Sequence, residues 1–203
     1  SSAKIETDFG GFSGSNTMLR IRQAYVNLDW GKSAVLVGIT WHPLFGAVMP
    51  DVLNLSTGAP FQPFNRSPQI RYQYKANSRV QLTASVLWQL QYLSSGPKGM
   101  SEDYIKNSCI PEMFVGADFT PADGWLMGLG AHMISLKPRT STEWKEQTFK
   151  VNERMTAFSY EAHLKYSGRN YTFAAKTLMA SALDHTALLG GYGVSSVDSR
   201  TGE

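Results

Sequence analysis

Cysteine is all but missing: Cys109 is the single one, which excludes an intrachain disulfide and any cysteine-built metal site. Charge is scarce as well. Asp, Glu, Lys and Arg make up 17 % of the 203 residues, below the roughly 25 % of ordinary soluble domains, as expected of a chain with little water-facing surface. The net charge of +3 is mild and no Lys/Arg run marks a nucleic-acid surface, so nucleic acid is not an expected partner. No apolar stretch reaches the roughly 18 residues that a membrane helix needs. The first residues do not form a charged, apolar, small-residue leader, and any signal peptide is expected to have been removed. A glycine-rich phosphate loop, a nucleophile elbow, HExxH and paired-carboxylate spacing are missing too. The expectation is therefore no catalytic residue, no metal site and no cofactor.

What is present is alternation. About ten segments carry period-two patterning, roughly 3–12, 17–30, 33–42, 67–76, 78–93, 111–121, 124–137, 150–167, 170–180 and 187–195. In the fourth, Ile70, Tyr72 and Tyr74 oppose Gln69, Arg71, Gln73 and Lys75. In the eighth, Phe158, Tyr160 and Ala162 oppose Ser159, Glu161 and His163. This predicts an all-β chain, a single domain over 1–203, folded as an antiparallel meander.

The links decide between kinds of meander. Tight turns at Trp30–Ser33, Lys75–Arg79, Pro121–Gly124 and Tyr166–Asn170 alternate with longer links at 43–66, 94–110 and 138–149. All tight turns then fall at one end of the sheet, the pattern of an outer-membrane β-barrel with short periplasmic turns and longer outer loops. Two features agree. Segments 78–93 and 150–167 would run about 50 Å at roughly 3.3 Å per residue, and Trp30, Trp41, Trp88, Tyr92, Trp125, Tyr166 and Tyr171 fall near strand ends, where aromatic girdles sit. A transmembrane up-and-down barrel is thus the expected fold, and cell outer membrane the expected location. The tail SSVDSRTGE does not end a strand in an aromatic residue, so the chain reads as part of a larger barrel.

The stretches LRIRQAYV at 19–26, GITW at 38–41 and RSPQIRY at 66–72 resemble, in order, an arginine-rich strand and its two successors in Gram-negative outer-membrane porins. The nearest pattern is that of the DcaP-like and Bacteroidetes porins. The matching residues are Leu19, Arg20, Ile21, Arg22, Ala24, Tyr25 and Val26, then Gly38, Thr40 and Trp41, then Arg66, Pro68, Gln69, Ile70, Arg71 and Tyr72. The match covers about residues 4–95, with a weaker echo in LGGYGVSS at 189–196. The resemblance implies a homotrimer of barrels with more strands than this chain supplies, set in outer-membrane lipid and passing small hydrophilic solutes.

On that reading Arg20, Arg22, Arg71, Lys75 and Arg79 line the pore and favour anions by their positive field. Alternatively the same cations simply solvate a polar lumen or pair with Glu6, Asp8 and Asp118. The long apolar link after Trp41 is expected to fold inward as a constriction loop or to pack on a neighbouring protomer, with Asp51 and Arg66 as its charged candidates. In Met18–Trp30, Leu19, Ile21 and Tyr25 are expected on the lipid face opposite Arg20 and Arg22. The alternation blurs after Ala24, through either a bulge or a less polar interior. Two other functions remain open: a soluble or surface β-domain that binds or adheres, and a barrel hydrolase. The hydrolase reading rests on Asp184 and His185 with His132 and His163, but no nucleophile elbow, paired carboxylates or HExxH accompanies them, and neither His132 nor His163 has a second ligand at useful spacing.

Overall fold

The computed structural model describes residues 1–9, 19–46, 48, 59 and 61–188. In chain order these residues form β1 (Ser2–Phe9), β2 (Leu19–Asp29), β3 (Ser33–Trp41), β4 (Arg66–Lys75), β5 (Val80–Leu87), β6 (Ser95–Gly96), β7 (Gly99–Met100), α1 (Asp103–Ser108), β8 (Glu112–Phe119), β9 (Trp125–Leu136), β10 (Ser141–Trp144), β11 (Gln147–Lys150), β12 (Met155–Ser167) and β13 (Thr172–Met179). Single 3-10 turns stand at Pro43–Phe45 and Asp184–Thr186. Nine strands make one sheet in the order β1-β2-β3-β4-β5-β8-β9-β12-β13, while β6/β7 and β10/β11 are separate hairpins. Every pairing is antiparallel. Among the described residues, β1 and β13 are the two edges of the large sheet and do not pair with each other.

Nine of the ten expected strands are therefore present, and the tenth, 187–195, lies mostly outside the described residues. The expected strand 78–93 is shorter, ending at Leu87. Trp88 N–H still donates to the Pro68 carbonyl at 2.9 Å, but Pro68 has no N–H to return and the ladder stops. The expected strand 150–167 starts at Met155. The links expected at 94–110 and 138–149 contain α1 and the two hairpins.

The sheet has two unlike faces. One carries Val37, Ile70, Tyr72, Leu82, Val86, Val115, Phe158, Tyr160 and Phe173 in the open. The other buries Gln23, Thr40, Gln69, Ser85, Glu112, His132, Ser159, Glu161 and His163. The polar face is covered because the chain beyond the long-link ends folds back over it. Leu44 and Leu183 pack there against Leu87 and Phe114, and Tyr104 and Ile105 of α1 pack against Ile134 and Leu136 of β9. Lys176 on β13 donates to the carbonyl oxygens of Leu44 and Phe45, which pins the first 3-10 turn across the sheet.

Inward glycines make room for the larger covered side chains. A Cβ on Gly116 or Gly130, which face each other across β8 and β9, would stand 2.8 Å from the ring of Phe114. One on Gly128 would stand 2.3 Å from the His163 ring.

The register of β1 on β2 slips between Glu6, opposite Gln23, and Thr7, opposite Ile21, leaving Arg22 as the extra residue of a bulge. This answers why the alternation blurs: beyond the bulge Val26 and Leu28 take the bare face. Tyr25 is thereby corrected to the covered face, where it lines a recess with Gln23.

Candidate functional site

Residues from β2 through β12 line one recess of about 440 Å³ on the covered face, so the sheet curls around it. Gln23, Tyr25, Thr40, Trp41, Arg71 and Glu161 contribute to its wall. At the loop end the covered face holds a cluster made from four separate parts of the chain. His42 follows β3, Glu112 opens β8, His132 lies in β9 and His185 sits in the second 3-10 turn. All four are at most 1 % exposed.

The three imidazoles converge on one carboxylate oxygen. Glu112 Oε2 lies 3.4 Å from His42 Nε2, 3.3 Å from His132 Nε2 and 3.1 Å from His185 Nε2. The other oxygen, Oε1, accepts from Gln89 Nε2 at 2.7 Å, and Gln89 is itself tied to Ser94 through Oγ at 2.8 Å and the backbone N–H at 2.9 Å. His42 Nδ1 accepts the N–H of Leu44 at 3.2 Å, which places the ring proton on Nε2, toward Glu112. Burial pushes the His42 ring down to about 4 despite the pull of Glu112. Burial also disfavours the charged form of His185, but the adjacent Glu112 carboxylate and the hydrogen bond to it outweigh burial and hold this ring above its ordinary value. The Nδ1 atoms of His132 and His185 have no hydrogen-bond partner among the described residues.

One donor atom from each of His42, Glu112 and His185 falls within 4.8 Å of the others, so this cluster has the residues and the spacing to hold a metal ion. The sequence reading credited no histidine with a second ligand and missed His42 and Glu112 altogether. Glu112 lies 70, 20 and 73 positions from the three histidines it meets, beyond any local motif. The available signal was positional: His42, Glu112 and His185 all stand where long links meet the sheet, and a meander brings such ends to one level. Asp184 and His185, taken together in the hydrolase reading, face different partners. Asp184 Oδ2 accepts the Ser95 N–H at 2.7 Å, while His185 faces Glu112.

The expected pore-lining cations occupy unlike places. Arg20 is paired with Asp8 at 2.6 Å, and Arg22 with Glu6 at 2.8 Å and Asp8 at 2.9 Å. Arg71 lines the recess and donates to the Trp41 carbonyl and to Gln69 Oε1, each at 2.7 Å. Lys75 and Arg79 are exposed at the tight-turn end. Asp118 faces His163 at 3.1 Å and none of these arginines. Of the constriction candidates, Asp51 lies outside the described residues. Arg66 is buried, with its guanidinium carbon 4.9 Å from the Trp41 ring centre and 5.5 Å from that of Phe64, and it donates to the Tyr92 hydroxyl at 3.2 Å.

The expected aromatic belt is divided. Trp125, Tyr166 and Tyr171 cluster at the tight-turn end, with ring centres 4.8 and 5.6 Å apart. Trp41 instead stacks on Phe45 at 4.2 Å within the infolded segment. No family model, curated protein or solved structure matches this chain.

Proposed function

We propose that this chain forms wall of an outer-membrane channel of the porin type, passing small hydrophilic solutes without covalent chemistry. One observation carries the reading: the sheet wears its polarity inside out. Val115 and Phe158 are 58 % and 53 % exposed in mid-strand, while Gln23, Ser85, Ser159 and Glu161 are buried opposite them. Water would penalise so broad an apolar face, whereas lipid accepts it and leaves the polar face for an aqueous interior. The distribution of links supports it too: turns 30–32, 76–79, 120–124 and 168–171 are short and share one end.

In lipid the edges β1 and β13 require further strands, because unpaired backbone groups there cost several kcal/mol each. The larger trimeric barrel implied by the resemblance supplies them. Anion preference is the finer part of the proposal. Arg20 and Arg22 sit against carboxylates, so that preference rests on Arg71, which among the described residues has no carboxylate within ion-pair distance, and on Lys75 and Arg79 at the turn end.

Fractionation tests the location: the protein should sediment with outer membranes and need detergent for release. Recovery from the aqueous fraction as a monomer would defeat the proposal. Planar bilayers test the activity, with stepwise conductance expected on insertion and silence counting against a channel.

A further inference from the structure

We infer that His42, Glu112 and His185 form a three-ligand site for one transition-metal dication, with His132 beside it and Zn²⁺ the ion best matched to the donors. The inference stands apart from the channel reading, since it concerns the buried cluster whether or not the bare face meets lipid.

Burial gives the first reason. Three imidazoles and a carboxylate, all within 1 % of complete burial, carry a desolvation cost that something must offset. Hydrogen bonds among themselves offset it poorly. At 3.1 to 3.4 Å the three Nε2 contacts to Glu112 Oε2 are long for charge-assisted bonds, which run about 2.7–2.9 Å. For His42 and His185 they come near instead to the edge of a tetrahedron with bonds of about 2.0–2.1 Å, an edge of about 3.3–3.4 Å, and these two and Glu112 are the donors that lie within 4.8 Å of one another. Donor atoms brought to such separations have room for an ion between them.

The surroundings orient the donors. Gln89, anchored by Ser94, holds Glu112 Oε1 and so turns Oε2 toward the imidazoles, as an outer hydrogen bond does for a metal-ligating carboxylate. The donor set selects the ion. Two imidazole nitrogens and one carboxylate oxygen suit Zn²⁺ and its first-row neighbours, whereas Ca²⁺ and Mg²⁺ require oxygen cages. His42 is the most weakly committed ligand. Coordination through Nε2 moves its ring proton to Nδ1 and gives up the hydrogen bond from Leu44 N–H, a small loss beside a metal–imidazole bond.

With its three ligands drawn from separate parts of the chain, the ion ties those parts together. It staples the end of β3, the start of β8 and the turn after β13. That fixes both infolded segments, 42–46 and 183–187, on the covered face.

The wild-type protein, purified and stripped with a chelator, is the sample for the test. One equivalent of Zn²⁺ per chain should bind with submicromolar affinity and raise the unfolding midpoint. Co²⁺ in its place should give the intense visible bands of a tetrahedral site. Glu112→Gln should weaken Zn²⁺ binding about 100-fold or more, beyond the loss caused by removing an outer-shell partner, whereas His163→Gln, outside the cluster, should keep the ion. Because Glu112→Gln can fail to fold, the wild-type Co²⁺ spectrum stands alone as a criterion. Folded wild-type protein that takes up neither ion, a six-coordinate Co²⁺ spectrum, or full binding by a folded Glu112→Gln variant would each overturn the site.

Discussion

Arg20 grips Asp8 with both prongs of its guanidinium, Nε donating to Oδ1 at 3.0 Å and Nη2 to Oδ2 at 2.6 Å. Arg22 joins the same carboxylate and reaches Glu6, so two cations of β2 face two anions of β1. Charges so matched project little field into a recess. The residues that most suggest an anion-selective wall are thus neutralised by the strand beside them.

This sets the sign of the first expected result. Replacing Arg20 and Arg22 together by Gln uncovers Asp8 and Glu6, so the anion-over-cation permeability ratio should fall. Replacing Arg20 and Arg22 by Gln together with Glu6→Gln and Asp8→Asn should leave the ratio near the wild-type value. Reversal potentials under a salt gradient measure both. If the four-residue variant shifts as far as the two-residue one, the arginines act as unpaired cations and the neutralisation argument fails.

The two faces were legible in the sequence because alternation needs only neighbouring residues: Ile70, Tyr72 and Tyr74 lie on the bare face as their spacing requires. The inward turn of Leu44 and Phe45 was legible as apolar residues in a link. The bulge at Arg22 was not, because it is defined by the offset between Glu6 and Thr7 on a different strand. The Glu112 cluster was hidden for the same reason, since its members meet only when β3, β8 and β9 take their register and the chain after β13 folds back. Period-two patterning reports a face, whereas pairing and infolding set the level along it.

The bare face gives a second expected result. Val115 stands in mid-β8 between Ala84 of β5 and Ala131 of β9. In lipid, Val115→Arg should destabilise the folded state by about 2–4 kcal/mol. At an exposed position in water the same change would cost within about 0.5 kcal/mol. Urea unfolding in liposomes reads the difference, and a near-neutral value would argue that this face meets water.

Phe114 supplies a third. Its ring tip is flanked by Gly116 and Gly130, where an added Cβ would approach to 2.8 Å. Gly130→Ala should cost about 1–3 kcal/mol as an overpacking change. Combined with Phe114→Leu, which withdraws the far edge of the ring, the alanine should cost clearly less than it does alone. A double-mutant cycle on unfolding free energies checks the coupling, and strict additivity would mean that the ring moves aside freely.

Lys176 gives the fourth, because it links the sheet to the segment folded over it. Its ammonium donates to the carbonyl oxygens of Leu44 and Phe45 and stands 3.4 Å from Glu161, whose side chain is 3 % exposed. Lys176→Met keeps the length of the side chain but takes the ammonium from Glu161, whose buried carboxylate then keeps the His163 ring at 3.6 Å, and frees both carbonyls. A buried pair broken from one side costs about 3–5 kcal/mol, so the unfolding free energy should fall by an amount of that order. Lys176→Met with Glu161→Gln should recover much of the loss, since the buried carboxylate that lost its ammonium is then neutral. If the segment 42–46 narrows the aqueous path, both variants should also conduct more than the wild type in planar bilayers. Restored stability with conductance still raised would assign the narrowing to the two carbonyl bonds rather than to the ion pair, whereas unchanged conductance in both would place the constriction elsewhere.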